Sequence, residues 1–166
     1  FQANRHYLAE RVSETLGLLY ADHYPYRQFA TARNIRKTPL HHKLEENGAC
    51  FGELSGWERA NWFVPEAERE KGIKAEYQYS WKRQNWFDYA QEEHMAVRHS
   101  AGLFDLSTFG KIKLVGSDAE AVLQHICAND VAVDNGKIVY TQWLNEAGGI
   151  EADVTVTRLS RNEFLI

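Results

Sequence analysis

The sequence has 166 residues, of which 44% are hydrophobic and 25% charged, and its net charge is -4. This composition predicts a globular chain of one domain or two small ones and argues against disorder. The charge offers no basic surface to a nucleic acid, and no apolar run reaches the roughly 20 residues that span a bilayer.

Other features of the chain bear on its compartment and completeness. Two cysteines, Cys50 and Cys127, cannot form a disulfide framework, so we expect a reducing interior. The chain begins with Phe1 rather than Met, and it ends in the apolar run 164–166, which would leave an unpaired strand edge. We therefore expect a piece of a longer protein.

The first predicted element is a helix. Apolar residues recur at helical spacing and fall on one stripe, namely Leu8, Val12, Leu16 and Leu19. This helix should end between residues 17 and 20. From Tyr24 to about Trp62 the periodicity fades and Pro and Gly recur, which predicts an irregular, arginine-rich connecting region. Its basic cluster, Arg27, Arg33, Arg36 and Lys37, can either meet an anion or face solvent.

A short internal echo, W-x-R-x-N-W-F, occurs at 57–63 and again at 81–87. Either both copies pack an aromatic ring on a guanidinium in the same way, or the likeness is chance. The charged stretch 66–76 between them predicts a surface excursion and is the candidate boundary. We therefore expect one domain over 1–75 and another over 76–166.

The second half of the chain has more regular patterns. Residues 92–102 predict a helix that ends at Gly102, and alternation around Ile112 and Leu114 predicts a half-buried strand. Ser117 and the acid three residues later have capping-box spacing ahead of a second amphipathic helix.

A predicted hairpin follows this helix. Residues 138–144 and 154–159 are its strands and 145–149 its turn, after which 160–162 turn again into 164–166. The order of helices and antiparallel strands predicts an α+β fold, with helices packed on an antiparallel sheet.

The sequence lacks the common signatures of reaction chemistry. It has no G-x-G-x-x-G, no P-loop and no nucleophile elbow, and its histidines lack the spacing of a zinc site, so we expect no metal. One residue is unusual for its place, because Asp153 stands at the start of a predicted strand, where Asp is disfavoured. Solvent, a turn-capping hydrogen bond or a ligand can each account for it.

Several sequence blocks occur in a recognisable order. These are F-D-L-S-T-F-G-K at 104–111, N-D-V at 129–131, G-K-I-V-Y-T at 136–141 and N-E-A-G-G-I-E-A-D at 145–153. Their order resembles the glycine-cleavage T-protein (aminomethyltransferase) family. Upstream, the blocks at 32–41, 48–51 and 56–59 resemble the segment that precedes this module in sarcosine and dimethylglycine dehydrogenases.

This resemblance implies the N-terminal half of a T-protein-like domain, preceded by the end of a segment that links it to a flavin domain. In such enzymes FAD oxidises the N-methyl group of sarcosine or dimethylglycine. Tetrahydrofolate, bound by the T-protein-like module, then captures the one-carbon unit as methylenetetrahydrofolate. We expect the FAD to belong to a domain outside these residues.

The resemblance also implies roles for single residues. Asp153 matches the aspartate beside the reacting folate nitrogens, and Tyr140 matches a tyrosine that contacts folate from the facing strand. Phe109 falls where the family has an apolar wall of the pterin pocket, although a plain core residue is an alternative. Asn129 either shapes the pocket or caps a helix. T-proteins often have two adjacent aspartates after the paired glycines, whereas this chain has Ala152 before Asp153.

Two other functions remain open from the sequence. One is a non-catalytic folate-binding or regulatory relative of the T-protein, and the other is a module that docks a flavoprotein. The compartment implied is the cytoplasm of a bacterium or the mitochondrial matrix.

Overall fold

The computed structural model describes residues 3–166, which divide into two compact units. Unit 1 ends at Thr108, and unit 2 is Phe109–Ile166. Both units combine helices with antiparallel strands, which confirms the predicted α+β fold. The domain limit near residue 75 stays a prediction. Within residues 3–166 no helix is long and apolar enough to cross a bilayer.

Unit 1 consists of four helices and a two-stranded sheet. In chain order they are α1 (Arg5–Leu18), α2 (His41–Glu46), β1 (Ala49–Leu54), β2 (Trp57–Phe63), α3 (Glu66–Glu70) and α4 (Phe87–His99). The prediction of an irregular region up to Trp62 is therefore wrong from His41 onward. Ser55 and Gly56 both have positive φ, which allows the tight turn that joins β1 to β2.

Helix α1 ends at Leu18, as its periodicity predicts, and it is capped by the Asn4 side chain, which accepts from the Tyr7 amide. Its apolar stripe nevertheless stays exposed, from 41% at Leu8 to 66% at Leu19. The buried side chains of α1 are Tyr7 and Arg11. The helix thus packs through a mixed aromatic and charged face.

The two copies of the W-x-R-x-N-W-F echo adopt different structures. The first is strand β2, and the second is a turn that leads into α4. Trp62 is 1% exposed and stacks on Tyr89, with ring centroids 5.6 Å apart, whereas Trp81 is 70% exposed. Similar packing of the two copies is excluded. The stretch 66–76 is largely exposed, as predicted.

Helix α4 begins at Phe87, five residues before its predicted start, and ends at His99. None of the residues of α4 is fully buried. Its first turn therefore lacks the apolar periodicity by which a helix start is recognised in a sequence. Asp88 in the first turn and Arg98 in the last turn suit the helix dipole.

Unit 2 consists of a four-stranded sheet and one helix. In chain order its elements are β3 (Lys113–Val115), α5 (Ala119–Ile126), β4 (Ile138–Leu144), β5 (Ile150–Ser160) and β6 (Glu163–Leu165). The strands lie in the order β3-β6-β5-β4, and all neighbours are antiparallel. These elements confirm the predicted strand, helix and hairpin of this half.

One face of this sheet carries the core of unit 2. Leu123 of α5 is buried with Val131, Val156 and Phe164, and Val139 and Trp143 pack around them. The predicted capping box does not form: α5 has Asp118 at its N-cap with no side-chain cap bond, and the Ser117 hydroxyl donates to the Asp118 carboxylate at 3.1 Å. The opposite face of the sheet remains open.

Candidate functional site

The open face of unit 2 carries a cluster of polar side chains on β4 and β5. In the hairpin register Gln142 lies opposite Asp153, and Tyr140 lies opposite Thr155. Side chains alternate between faces along a strand, so Tyr140, Gln142 and Asp153 all project from the same face. Val139, Thr141 and Trp143 alternate with them and face the core.

Asp153 is the centre of this cluster. The Tyr140 hydroxyl donates to Asp153 Oδ2 at 2.9 Å, and the Gln142 amide nitrogen donates to Asp153 Oδ1 at 2.9 Å. The bond from Tyr140, and then that from Gln142, holds the pKa of Asp153 below its usual range. The same bond raises the pKa of Tyr140. The site therefore carries an ionised carboxylate beside a neutral phenol.

The turn between the two strands is held by another residue. The Asn145 side-chain oxygen accepts from the amides of Ala147 at 3.1 Å and Gly149 at 2.8 Å. Gly148 takes the left-handed conformation that the turn needs, with φ 79°. Asp153 is thus not the turn cap, and that explanation of its place in the strand is wrong.

Ala152 occupies the position where T-proteins often have a first aspartate. It pairs with Trp143, on the core side of the hairpin that also carries Val154 and Val156. A carboxylate side chain at position 152 would project from the sheet face opposite to the one that carries Tyr140. The substitution therefore leaves the Tyr140–Asp153 contact intact.

Asn129 lies along the outer edge of β4. Its amide nitrogen donates to the Tyr140 carbonyl at 3.3 Å, and its backbone N–H donates to the Thr141 hydroxyl at 3.1 Å. The end of α5 is closed instead by the Cys127 amide, which donates to the Leu123 carbonyl. The helix-capping explanation of Asn129 is wrong, and the residue fixes the edge of the strand that carries Tyr140.

Phe109 is placed elsewhere in unit 2. It precedes β3, which lies at the edge of the sheet opposite to β4, and its side chain is 55% exposed. This exposure excludes the plain core residue that the sequence left open. The pterin-wall role of Phe109 stays a prediction.

Gln142 is the site residue that sequence reasoning missed. Its signal was present, because it stands two residues after Tyr140 in a predicted strand and so shares its face. Once the register of the hairpin was known, Gln142 could therefore have been identified as the residue directly opposite Asp153.

The cluster defines the chemistry of a fitting ligand. The Tyr140 proton and the Gln142 amide are both directed at Asp153, so the remaining positions on the carboxylate and phenol oxygens are hydrogen-bond acceptors. The Tyr140 ring is 61% exposed and offers an aromatic surface beside them. A flat ligand with N–H donors along its edge would complement these acceptors.

A separate cavity of about 560 Å³ lies within unit 1, between α4, β2 and residues 101–108. Glu93 lines it and accepts from the Phe63 amide at 2.9 Å, and burial raises the pKa of this carboxyl. The cavity contains none of the residues that the resemblance assigns to folate.

Comparison with known families accounts for almost the whole chain. Residues 40–166 match the GCVT N-terminal domain, and residues 1–38 match the FAD dependent oxidoreductase central domain. The chain belongs to the GCVT N-terminal domain family. The resemblance to T-proteins, and to the segment that precedes them in flavin-dependent dehydrogenases, is thereby confirmed.

Curated relatives of this GCVT-family chain include several long proteins. The 4-methylaminobutanoate oxidase (formaldehyde-forming) of Paenarthrobacter nicotinovorans is 49% identical over 99% of this chain. Human mitochondrial sarcosine dehydrogenase is 34% identical over 93% of it, and the mouse mitochondrial pyruvate dehydrogenase phosphatase regulatory subunit is 33% identical over 99%. The chain spans 19% of the length of each of these relatives.

A solved structure also resembles the chain. The glycine cleavage system aminomethyltransferase T of Bartonella henselae has a TM-score of 0.61 and 26% sequence identity. The match covers 80% of this chain and 30% of that protein. The GCVT fold of the chain is therefore supported by both sequence and coordinates.

Proposed function

We propose that this chain is the tetrahydrofolate-binding module of a flavin-dependent oxidoreductase that removes N-methyl groups from amino acids. The observation that carries the proposal is the Tyr140–Asp153–Gln142 cluster on the open face of a GCVT-family sheet. Residues 1–38, which match an FAD oxidoreductase family, support the flavin-dependent context.

Tetrahydrofolate supplies the two nitrogens that take up the one-carbon unit. Asp153, kept ionised by its two donors, stabilises positive charge that develops next to it or accepts a proton at a carboxylate oxygen. Tyr140 and Gln142 fix the orientation of that carboxylate, and the Tyr140 ring offers a stacking surface. Asn129 and Phe109 are proposed as further contacts of the pocket. FAD is assigned to another part of the enzyme, since the sequence has no G-x-G-x-x-G.

Thermal melting of the protein in its natural length tests folate binding. Tetrahydrofolate should raise the melting temperature of the wild type, because a ligand that binds the native state stabilises it. Asp153→Asn should weaken that binding about tenfold and leave melting without ligand unchanged, since it removes one charged partner at an exposed site. Tyr140→Phe should act in the same direction.

The matched control is Tyr20→Phe, at a side chain that is 96% exposed on unit 1. It should bind tetrahydrofolate like the wild type. Absence of any stabilisation at saturating tetrahydrofolate, or an unchanged affinity in Asp153→Asn, would exclude this site.

The amine substrate is proposed as an N-methyl amino acid. Sarcosine or dimethylglycine is our first choice, with sarcosine favoured by the upstream blocks, and 4-methylaminobutanoate shares the methylamino group and the carboxylate with sarcosine. Reduction of the flavin by each amine in turn would rank the three. Loss of formaldehyde release on addition of tetrahydrofolate would support methylenetetrahydrofolate as the product.

We place the enzyme in a reducing interior, bacterial or mitochondrial, because Cys50 and Cys127 are both free.

A regulatory, non-catalytic folate-binding role is the second candidate. The likeness to the mouse regulatory subunit, at 33% identity, favours it. Tetrahydrofolate binding without flavin reduction by any of the three amines would select this candidate.

A further inference from the structure

Two almost fully buried carboxylates of unit 1 form ion pairs with arginines from the segment that matches the other family. Glu53 on β1 and Glu58 on β2 lie within the GCVT match, and their side chains are each 2% exposed. Their partners, Arg11 and Arg33, lie within residues 1–38, which match the oxidoreductase family. Both ion pairs therefore cross the border between the two families inside a single compact unit.

Arg33 binds Glu58 through two parallel bonds. Its Nε is 2.9 Å from Oε1, and one terminal nitrogen is 2.6 Å from Oε2. The Asn34 amide donates to the same carboxylate at 2.6 Å. Burial alone would raise the pKa of Glu58, but these bonds more than offset it and hold the pKa below its usual range.

Backbone hydrogen bonds also connect the N-terminal segment to the β1–β2 hairpin. The Arg36 amide donates to the Gly56 carbonyl at 3.0 Å, and the Glu58 amide donates to the Arg36 carbonyl at 2.9 Å. Residue 36 thus pairs in parallel with Trp57, on the side of β2 away from β1. The Arg36 guanidinium also stacks on the Trp57 ring, 4.1 Å from its centroid. The segment adds to the hairpin as a short extra strand.

Arg11 makes the second crossing from α1. It binds Glu53, donates to the Thr31 carbonyl at 2.8 Å and lies 4.0 Å from the centroid of the Phe29 ring. Glu53 also accepts from the amide of Gly56 in the hairpin turn. Without Arg11 and Arg33, the hairpin would retain two buried carboxylates with no compensating charge, which is a strongly destabilising arrangement.

We propose that the β1–β2 hairpin is an interaction surface for an arginine-bearing segment of the oxidoreductase family, here residues 4–36, and that the stability of this hairpin in the present chain depends on that segment. The segment binds the hairpin through two buried carboxylates and through the edge of β2 that faces away from β1. This dependence of the hairpin on residues 4–36 does not rest on the proposed folate binding.

Cutting the protein at the border tests the surface. A protease site inserted between Pro39 and Leu40, both in an exposed turn, allows the natural-length protein to be nicked after folding. The two pieces should stay associated through size-exclusion chromatography at micromolar concentration. Arg11→Gln with Arg33→Gln should weaken their association about 100-fold, since each change leaves a buried carboxylate unpaired. Arg83→Gln, which removes a salt bridge to Asp88 between two exposed side chains, should have no effect.

A double-mutant cycle in the uncut protein guards against simple misfolding. Arg33→Gln should lower the melting temperature by about 10 °C, because Glu58 is left as an unpaired buried charge. Adding Glu58→Gln removes that charge, so the double variant should melt above the Arg33→Gln single variant. Pieces of the nicked wild type that separate, or a double variant whose loss equals the sum of the single losses, would overturn the proposal.

Discussion

The two units of the chain are stabilised by different interactions. Unit 2 packs α5 on one face of its sheet through an apolar cluster around Phe164, and the other face carries the polar site. Unit 1 has a small apolar cluster around Trp62 and three buried carboxylates, each paired with an arginine. Unit 2 should therefore respond most to lost volume, and unit 1 most to lost charge.

The largest expected effect is the loss of core volume in unit 2. Phe164 is fully buried, so Phe164→Ala should lower the free energy of unfolding of unit 2 by about 4 kcal/mol. Urea unfolding followed by amide hydrogen exchange reports each unit separately. Leu165→Ala, on the next residue and the open face, is the control and should cost far less. Equal losses in the two variants would contradict the assignment of the core face.

Acid should destabilise unit 1 more than unit 2, which is the opposite of the effect expected from a loss of core volume. Although burial alone would raise its pKa, Glu14 accepts from Thr31, Ala30 and Arg27, which together lower the pKa to about 2, from 4.5 in an unperturbed carboxyl. The unfolded chain then binds the proton first, so unit 1 loses stability as the pH falls from 4.5 towards 2. NMR signals of unit 1 should disappear at a higher pH than those of unit 2.

Glu14→Gln should remove much of this acid dependence, and Glu66→Gln, in the exposed first turn of α3, should leave it unchanged. If unit 2 unfolded first on acidification, the contrast between charge and volume would be wrong.

The smallest expected effect concerns the site itself. Gln142→Leu removes one of the two donors to Asp153, so the pKa of Asp153 should rise towards its usual value while the Tyr140 bond keeps it somewhat low. Tetrahydrofolate affinity should fall by less than in Asp153→Asn. An NMR titration of the Asp153 carboxyl measures the shift, with Gln91→Leu on α4 as the control. An unchanged pKa would show that Gln142 does not orient the carboxylate.

The predictability of the fold differs between the units for a physical reason. The strands and helix of unit 2 pack apolar residues at regular spacing, so the hairpin and α5 could be read from the sequence. Unit 1 is held by partners that are far apart in the chain, 25 residues for Arg33 with Glu58 and 42 for Arg11 with Glu53. Local patterns contain no signal for such pairs, and the stripe of α1 predicts an apolar face that the unit does not bury.

The candidate site was predictable only in part. Resemblance assigned Tyr140 and Asp153, and period-two alternation could have added Gln142. The turn-holding role of Asn145 needed the actual turn geometry, because Asn and Asp are both common turn residues. Phe109 could not be placed either, since the order of strands in the sheet is set by packing and not by the sequence near it.

The irregular pairing at the end of the hairpin bears on how this region can evolve. Leu144 pairs with Ile150 while Trp143 pairs with Ala152, so Glu151 is an extra residue between the turn and the site. Loss of that one residue would remove the irregularity from β5 without changing the face from which Asp153 projects. A single deletion here should therefore preserve the site, whereas a deletion between Ala152 and Thr155 would exchange the two faces of the strand.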